Sequence, residues 1–217
     1  MSTFFDEEVK CGCCGKEAKV THLCSTNSFG GSDLDTRPAP MRRWTMGCWI
    51  QMCPYCGYVN PSLDRKIDGI EEIINSKQYA ECDGFCINNE LGKGFVRWGL
   101  ICSKQNNLKE EVFAYLHAAW ACDDSNEPEV AMLLRIKCEA LLVKYMEKDE
   151  SDELKLIDAD LLRRSGQFDE VNKRYSNADK CVSKQLVREG LCFEVERAKE
   201  NDIGRYKFAG NGKFESN

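Results

Sequence analysis

Two Cys-x-x-Cys-Gly knuckles, Cys11 to Gly15 and Cys53 to Gly57, constrain this chain more than any other feature of its sequence. Two residues between cysteines let one tight turn present both sulfurs to a single ion. The glycine that follows can take a positive φ close to those sulfurs. Cys11, Cys14, Cys53 and Cys56 are therefore expected to bind one structural zinc ion in a small ribbon with short β-strands. The competing reading is a redox pair or unligated thiols. Cys13 could replace Cys11 or Cys14, but only the Cys11/Cys14 choice keeps the two-residue gap followed by glycine. Cys24 and Cys48 have no partner at ligand spacing and read as plain buried cysteines. Cys82 and Cys86 are four apart and would share a helix face, yet no second pair accompanies them. Four thiolates leave no open coordination position, which points to a folding role and away from zinc-dependent hydrolysis.

The remaining cysteines support the same setting. The chain has 14 in 217 residues, and Cys102, Cys122, Cys138 and Cys192 lie singly in apolar helical segments, where a thiol behaves as a small hydrophobe. A reducing compartment fits this pattern better than a disulfide framework. The first twenty residues carry acidic side chains and no long apolar core, and no stretch approaches the roughly 20 apolar residues that span a bilayer. A cytoplasmic location with no membrane association is expected. The net charge of −6 is uneven: residues 1–66 carry eight Lys/Arg against seven Asp/Glu, leaving 22 against 29 for the rest. An acidic body disfavours broad nucleic-acid binding, which draws on phosphate attraction.

The pattern changes near residue 66. Before it, Gly30-Gly31-Ser32-Asp33 and Arg37-Pro38-Ala39-Pro40 are loop signals, and Trp44 to Met52 suits a short strand. After it, apolar residues recur at helical spacing almost to the end. Ile70, Ile73 and Ile74 mark a first helix; Phe95, Gly99 and Cys102 a second; Val112, Tyr115, Leu116 and Ala119 a third, with Asn107 as its cap. Pro128 opens a fourth through Leu133, Leu134, Leu141 and Leu142. Leu154 to Leu162 form a fifth ended by Ser165-Gly166, followed by Phe168 to Ala178 and by Leu186 to Ala198. Short turns between such helices argue for antiparallel hairpins. The expected architecture is mainly α: a ribbon module at 1–66, a stacked helical domain at 67–203 and a flexible tail at 204–217. Ala159, Leu162, Gly166, Phe168, Tyr175 and Ala178 match the centre of a tetratricopeptide repeat. A weaker match runs through Gly99, Cys102, Asn106, Leu108, Tyr115 and Ala118, departing at Glu111.

No catalytic pattern stands out. His22 is a weak alternative ligand, and His117 reads as a satisfied helix residue. Gly92-Lys93-Gly94 is too short for a phosphate-cradling loop. An enzyme is not expected. Arg42, Arg43, Trp44 and Trp49 form a basic–aromatic cluster that reads either as a nucleic-acid contact or as packing over a very small core, the second being favoured.

With knuckles and hairpins in place, the chain resembles an uncharacterised bacterial family in which a four-cysteine ribbon precedes tetratricopeptide-like helices. The matching stretches are Cys11-Gly12-Cys13-Cys14-Gly15, Asp33-Leu34-Asp35-Thr36-Arg37-Pro38 and Cys53-Pro54-Tyr55-Cys56-Gly57-Tyr58. His117-Ala118-Ala119-Trp120 and Asp160-Leu161-Leu162-Arg163-Arg164-Ser165-Gly166 extend the likeness. Members of that family more often carry proline where this chain has Gly12. The resemblance implies architecture and no established activity. The leading expectation is a scaffold or adaptor whose helical surface binds a protein or peptide. The alternatives are a nucleic-acid-associated factor using the ribbon and, behind it, a cysteine-based redox or metal sensor.

Overall fold

The structure, a computed structural model, describes residues 1–178, 182–210 and 212–216. Residues 179–181 of the expected helical domain, and 211 and 217 of the expected tail, lie outside the described residues. About half of the chain is helical, in packed helical pairs, and small antiparallel strand pairs stand at the front.

Strands β1 (Thr3–Lys10) and β2 (Glu17–Ser25) pair antiparallel from Lys10↔Glu17 outward. Ala18 and Val20 alternate inward while most of β1 stays exposed. The first knuckle is the turn of this hairpin. The second knuckle is the turn of a shorter one, β3 (Gln51–Met52) with β4 (Val59–Asn60). The strand expected over Trp44 to Met52 is confined to its last two residues. Arg43–Cys48 forms a 3-10 helix instead. There the Thr45 hydroxyl donates to the Arg42 carbonyl at 2.8 Å, and the Trp49 indole N–H donates to the Thr45 hydroxyl at 3.0 Å. Such local side-chain bonds offer the backbone an alternative to a ladder.

Two short helices follow, α1 (Ile70–Ile74) and α2 (Lys77–Ala80), then the long pair α3 (Glu90–Lys104) and α4 (Leu108–Asp124). Asn89 and Asn107 cap the long pair by accepting from the backbone N–H of Gly92 (2.6 Å) and Glu110 (3.4 Å). Gly99 lets the two helices approach, since a Cβ there would stand 3.0 Å from the Tyr115 ring. Helix α5 (Pro128–Met146) starts with proline in its first turn, where the missing N–H has no intrahelical partner to lose. Helices α6 (Asp152–Arg164) and α7 (Phe168–Tyr175) turn at Gly166, whose φ is 77°. Helix α8 (Gln185–Lys199) packs on both of them.

The chain forms two compact units. One comprises 1–28 with 40–131, the other 29–39 with 132–217. This differs from the division expected at 66/67. Each knuckle hairpin has too little apolar surface for a core of its own. The first unit therefore includes α1 to α4, with Tyr58, Val59 and Leu63 fully buried beside the second knuckle. In the second unit Leu34 enters the core formed by Leu156, Leu162, Val171, Leu191 and Val195. The segment Gly204 to Ser216, expected as a frayed tail, contains the hairpin β5 (Tyr206–Gly210) and β6 (Lys213–Ser216). Phe208 and Phe214 contact each other at 5.5 Å, and Phe214 stacks on Phe193 of α8 at 4.6 Å. Among the described residues, no helix is long and apolar enough to cross a membrane.

Candidate metal centre

The two knuckles have the same backbone. In the first, the Gly15 N–H donates to the Cys11 carbonyl (2.9 Å) and the Cys11 N–H to the Lys16 carbonyl (2.9 Å). In the second, the Gly57 N–H donates to Cys53 (2.9 Å) and the Cys53 N–H to Tyr58 (2.8 Å). Both glycines are left-handed, at φ 72° and 73°, a conformation that side chains with a Cβ adopt only with strain. The sequence pattern thus specifies two equivalent turns, each offering two thiols.

The turns are pinned from outside. The Gly12 N–H donates to the Leu63 carbonyl at 2.8 Å, and a Cβ on Gly12 would stand 2.2 Å from the Arg65 carbonyl oxygen. Glycine is therefore required at position 12, because proline would lose that N–H and strike the same backbone. The Leu63 N–H donates to Gln51 Oε1 (2.8 Å), and the Tyr58 hydroxyl donates to the Arg65 carbonyl (2.8 Å). Tyr79 of α2 donates its hydroxyl to the Gly57 carbonyl at 2.7 Å, tying the second knuckle to a helix. Tyr79, Gln51 and the Leu63 carbonyl carry no sequence signal, since each acts through a contact distant along the chain.

Cys11 Sγ lies 3.8 Å from Cys56 Sγ, and Cys14 Sγ lies 3.7 Å from Cys53 Sγ. All four sulfurs fall within 4.8 Å of one another. A disulfide would require about 2.0 Å. A tetrahedron with metal–sulfur bonds of about 2.3 Å has edges of about 3.8 Å. The four residues therefore fit a single tetrahedral ion, and sulfur-only donors suit zinc or iron. As free thiols they differ. Burial pushes Cys11 and Cys56 up, whereas the backbone N–H of Lys16 holds Cys14 down at about 7. A bound cation would favour the thiolate of all four and release their protons.

The other candidates stay apart. Among the described residues no further group of three or more ligating side chains occurs, and Cys24, Cys48, Cys82, Cys86 and His22 are outside this one. Cys24 is exposed rather than buried. His22 stacks on Phe5 at 4.9 Å and places Nε2 3.3 Å from Glu7. His117 is set among the rings of Trp49, Phe95 and Trp120. The basic–aromatic cluster divides: Arg42 and Trp44 face solvent, while Arg43 is buried and Trp49 packs edge-on to His117 and Trp120. No family model, curated protein or solved structure matches the chain.

Proposed function

We propose that Cys11, Cys14, Cys53 and Cys56 hold one structural zinc ion in a non-enzymatic cytoplasmic scaffold or adaptor. Its tetratricopeptide-like hairpins bind a protein or peptide partner. The observation that carries the metal assignment is the sulfur-only set, two of its separations at the tetrahedral edge length and all within 4.8 Å, held by two equivalent turns. Four thiolates leave no position for a water, so the ion's work is to close the fold. The helical surface supports the partner half of the reading. On α5, Leu133 (50%) and Ile136 (40%) are exposed with Met132 and Val143, and at helical periodicity all four fall on one side of the helix. An exposed apolar group of this kind marks a protein contact more often than a nucleic-acid one, which would need positive charge.

Affinity capture with the full chain, compared with a Leu133→Glu/Ile136→Glu variant, tests the partner half. A specific partner lost from the variant, with the fold retained by circular dichroism, is the expected result. Equal capture by both proteins removes α5 as the contact surface. A salt-sensitive mobility shift with RNA or DNA, abolished by Arg42→Ala/Trp44→Ala, would favour the nucleic-acid reading instead, because those two residues are the outward-facing part of that cluster.

A further inference from the structure

Helix α3 contains three glycines, and the packing of the chain accounts for only two of them. A Cβ at Gly92 would stand 2.8 Å from Asn89 Oδ1, and one at Gly99 would stand 3.0 Å from the Tyr115 ring. A Cβ at Gly94 would meet only Ile50 Cγ2, at 3.9 Å, which is ordinary van der Waals contact. Alanine would therefore fit at Gly94 and would favour the helix, whose interior glycine weakens. The space left open there belongs to a cavity of about 350 Å³, walled by Ile50, Met52, Val59 and Leu91. Gly47 of the 3-10 helix lines it too, and a Cβ on that residue would meet nothing within 4 Å. Two glycines thus keep open an apolar cavity that the fold itself has no need to leave empty.

The charge beside this cavity is one-sided. Its single charged lining residue, Glu90, is already paired with Lys93 at 2.7 Å. Arg97 lies three residues past Gly94, nearly one helical turn. Among the described residues, no carboxylate lies within 4.0 Å of its guanidinium. Arg97 Nη1 instead touches Met52 Sδ at 3.8 Å, Nε donates to the Tyr79 carbonyl at 3.5 Å, and the guanidinium lies over the Tyr79 ring at 5.5 Å. Met52 therefore joins the apolar wall to a cation that no side-chain carboxylate neutralises.

We infer that this cavity binds a free aliphatic carboxylate, its chain over Gly94 and its head group on Arg97. A dry cavity of about 150 Å³ accepts one benzene, so this one suits a chain of roughly ten carbons. The walls gain from excluding water along that chain. The planar guanidinium offers a carboxylate two parallel hydrogen bonds. An aliphatic amine of the same length would meet Arg97 with like charge, and a nucleotide would set its polar groups against Ile50, Val59 and Leu91. Neither the four-thiol centre nor the exposed face of α5 enters this inference, so its failure leaves both of those readings standing.

Isothermal titration calorimetry of the full-length protein with sodium decanoate provides the test. One decanoate per chain is expected, with hexanoate weaker by about tenfold or more because four fewer methylenes are buried. Arg97→Gln is expected to weaken decanoate about tenfold through loss of the charge-assisted contact. Gly94→Leu fills the cavity and is expected to abolish binding. Gly94→Ala covers the case in which leucine disturbs the helix: it should raise the melting temperature while weakening decanoate. Folded wild type that shows no saturable binding of decanoate overturns the inference, as does unchanged affinity in both Gly94 variants. Affinity that Arg97→Gln leaves unchanged overturns the assignment of a carboxylate.

Discussion

At the scale of single residues, the front of the chain depends on positions where chemistry leaves no substitute. Gly12 is one. Its replacement by proline removes the N–H bonded to Leu63 and drives a ring into the Arg65 carbonyl, so the first knuckle must move away from the second. If the four thiols hold zinc as proposed, Gly12→Pro is expected to weaken its binding by roughly 10- to 100-fold, the range typical of lost support around metal ligands. Competition with a calibrated chelator measures it, and unchanged affinity would show that the bond to Leu63 is dispensable. In the second unit the corresponding residue is Arg163, which is fully buried. It donates to Glu194, to Asp160 Oδ2 at 3.1 Å, and to the carbonyls of Asp202 (2.9 Å) and Gly204 (2.7 Å). Truncating one partner of a buried pair leaves the other charge uncompensated, and this costs about 3–5 kcal/mol. Arg163→Met is expected to lower the stability of the second unit by that amount in chemical denaturation. The sequence marked Arg163 only as part of a repeat-like turn. Its role depends on α8 and the 202–204 turn, roughly 30 to 40 residues further along, which local pattern does not reach.

At the scale of elements, what was legible followed from local physics. The α3–α4 and α6–α7 hairpins could be read from apolar spacing, from Asn107 as a cap and from Gly166 as a left-handed turn. The knuckles could be read because ligand spacing and turn geometry are both local. The β1–β2 hairpin, the 3-10 helix at Arg43–Cys48 and the β5–β6 hairpin were not read. The first has little alternation on its exposed strand, the second is held by particular side-chain bonds, and the third is stabilised by packing on Phe193. A pH prediction belongs to the start of α6. Lys155, Ser183 and the backbone N–H of Lys184 hold the Asp152 carboxylate below its ordinary range. A folded pKa below the unfolded one contributes stability that is present above about pH 4 and is lost as pH falls through the folded value. Asp152→Asn should therefore flatten the loss of stability of the second unit between about pH 4 and pH 2. An unchanged slope would mean that these contacts do not distinguish folded from unfolded chain.

At the scale of the whole molecule, the sequence suggested a front module followed by a helical body, and the compact units divide otherwise. Residues 29–39 sit between the knuckles in sequence but belong with 132–217, because Leu34 is buried in that unit's core. Their loop composition gave the correct local conformation and no sign of burial, since the residues that cover Leu34 lie more than a hundred positions away. The 46-residue span from Cys11 to Cys56 is therefore not a self-contained module. A structural ion in such a site contributes on the order of 10 kcal/mol to the folding of the residues around it. Chelation is thus expected to raise hydrogen exchange first in residues 1–28 and 40–80, with the α6–α8 core responding less. Uniform exchange across both units would argue that the ion stabilises no particular part.

The central claim is that four thiolates share one zinc ion, and elemental analysis of protein purified without added metal tests it most directly. About one zinc per chain in the wild type, falling to near zero in Cys53→Ser/Cys56→Ser, is the predicted result. Wild-type protein that is folded and metal-free, or a double variant that retains its zinc, would contradict it.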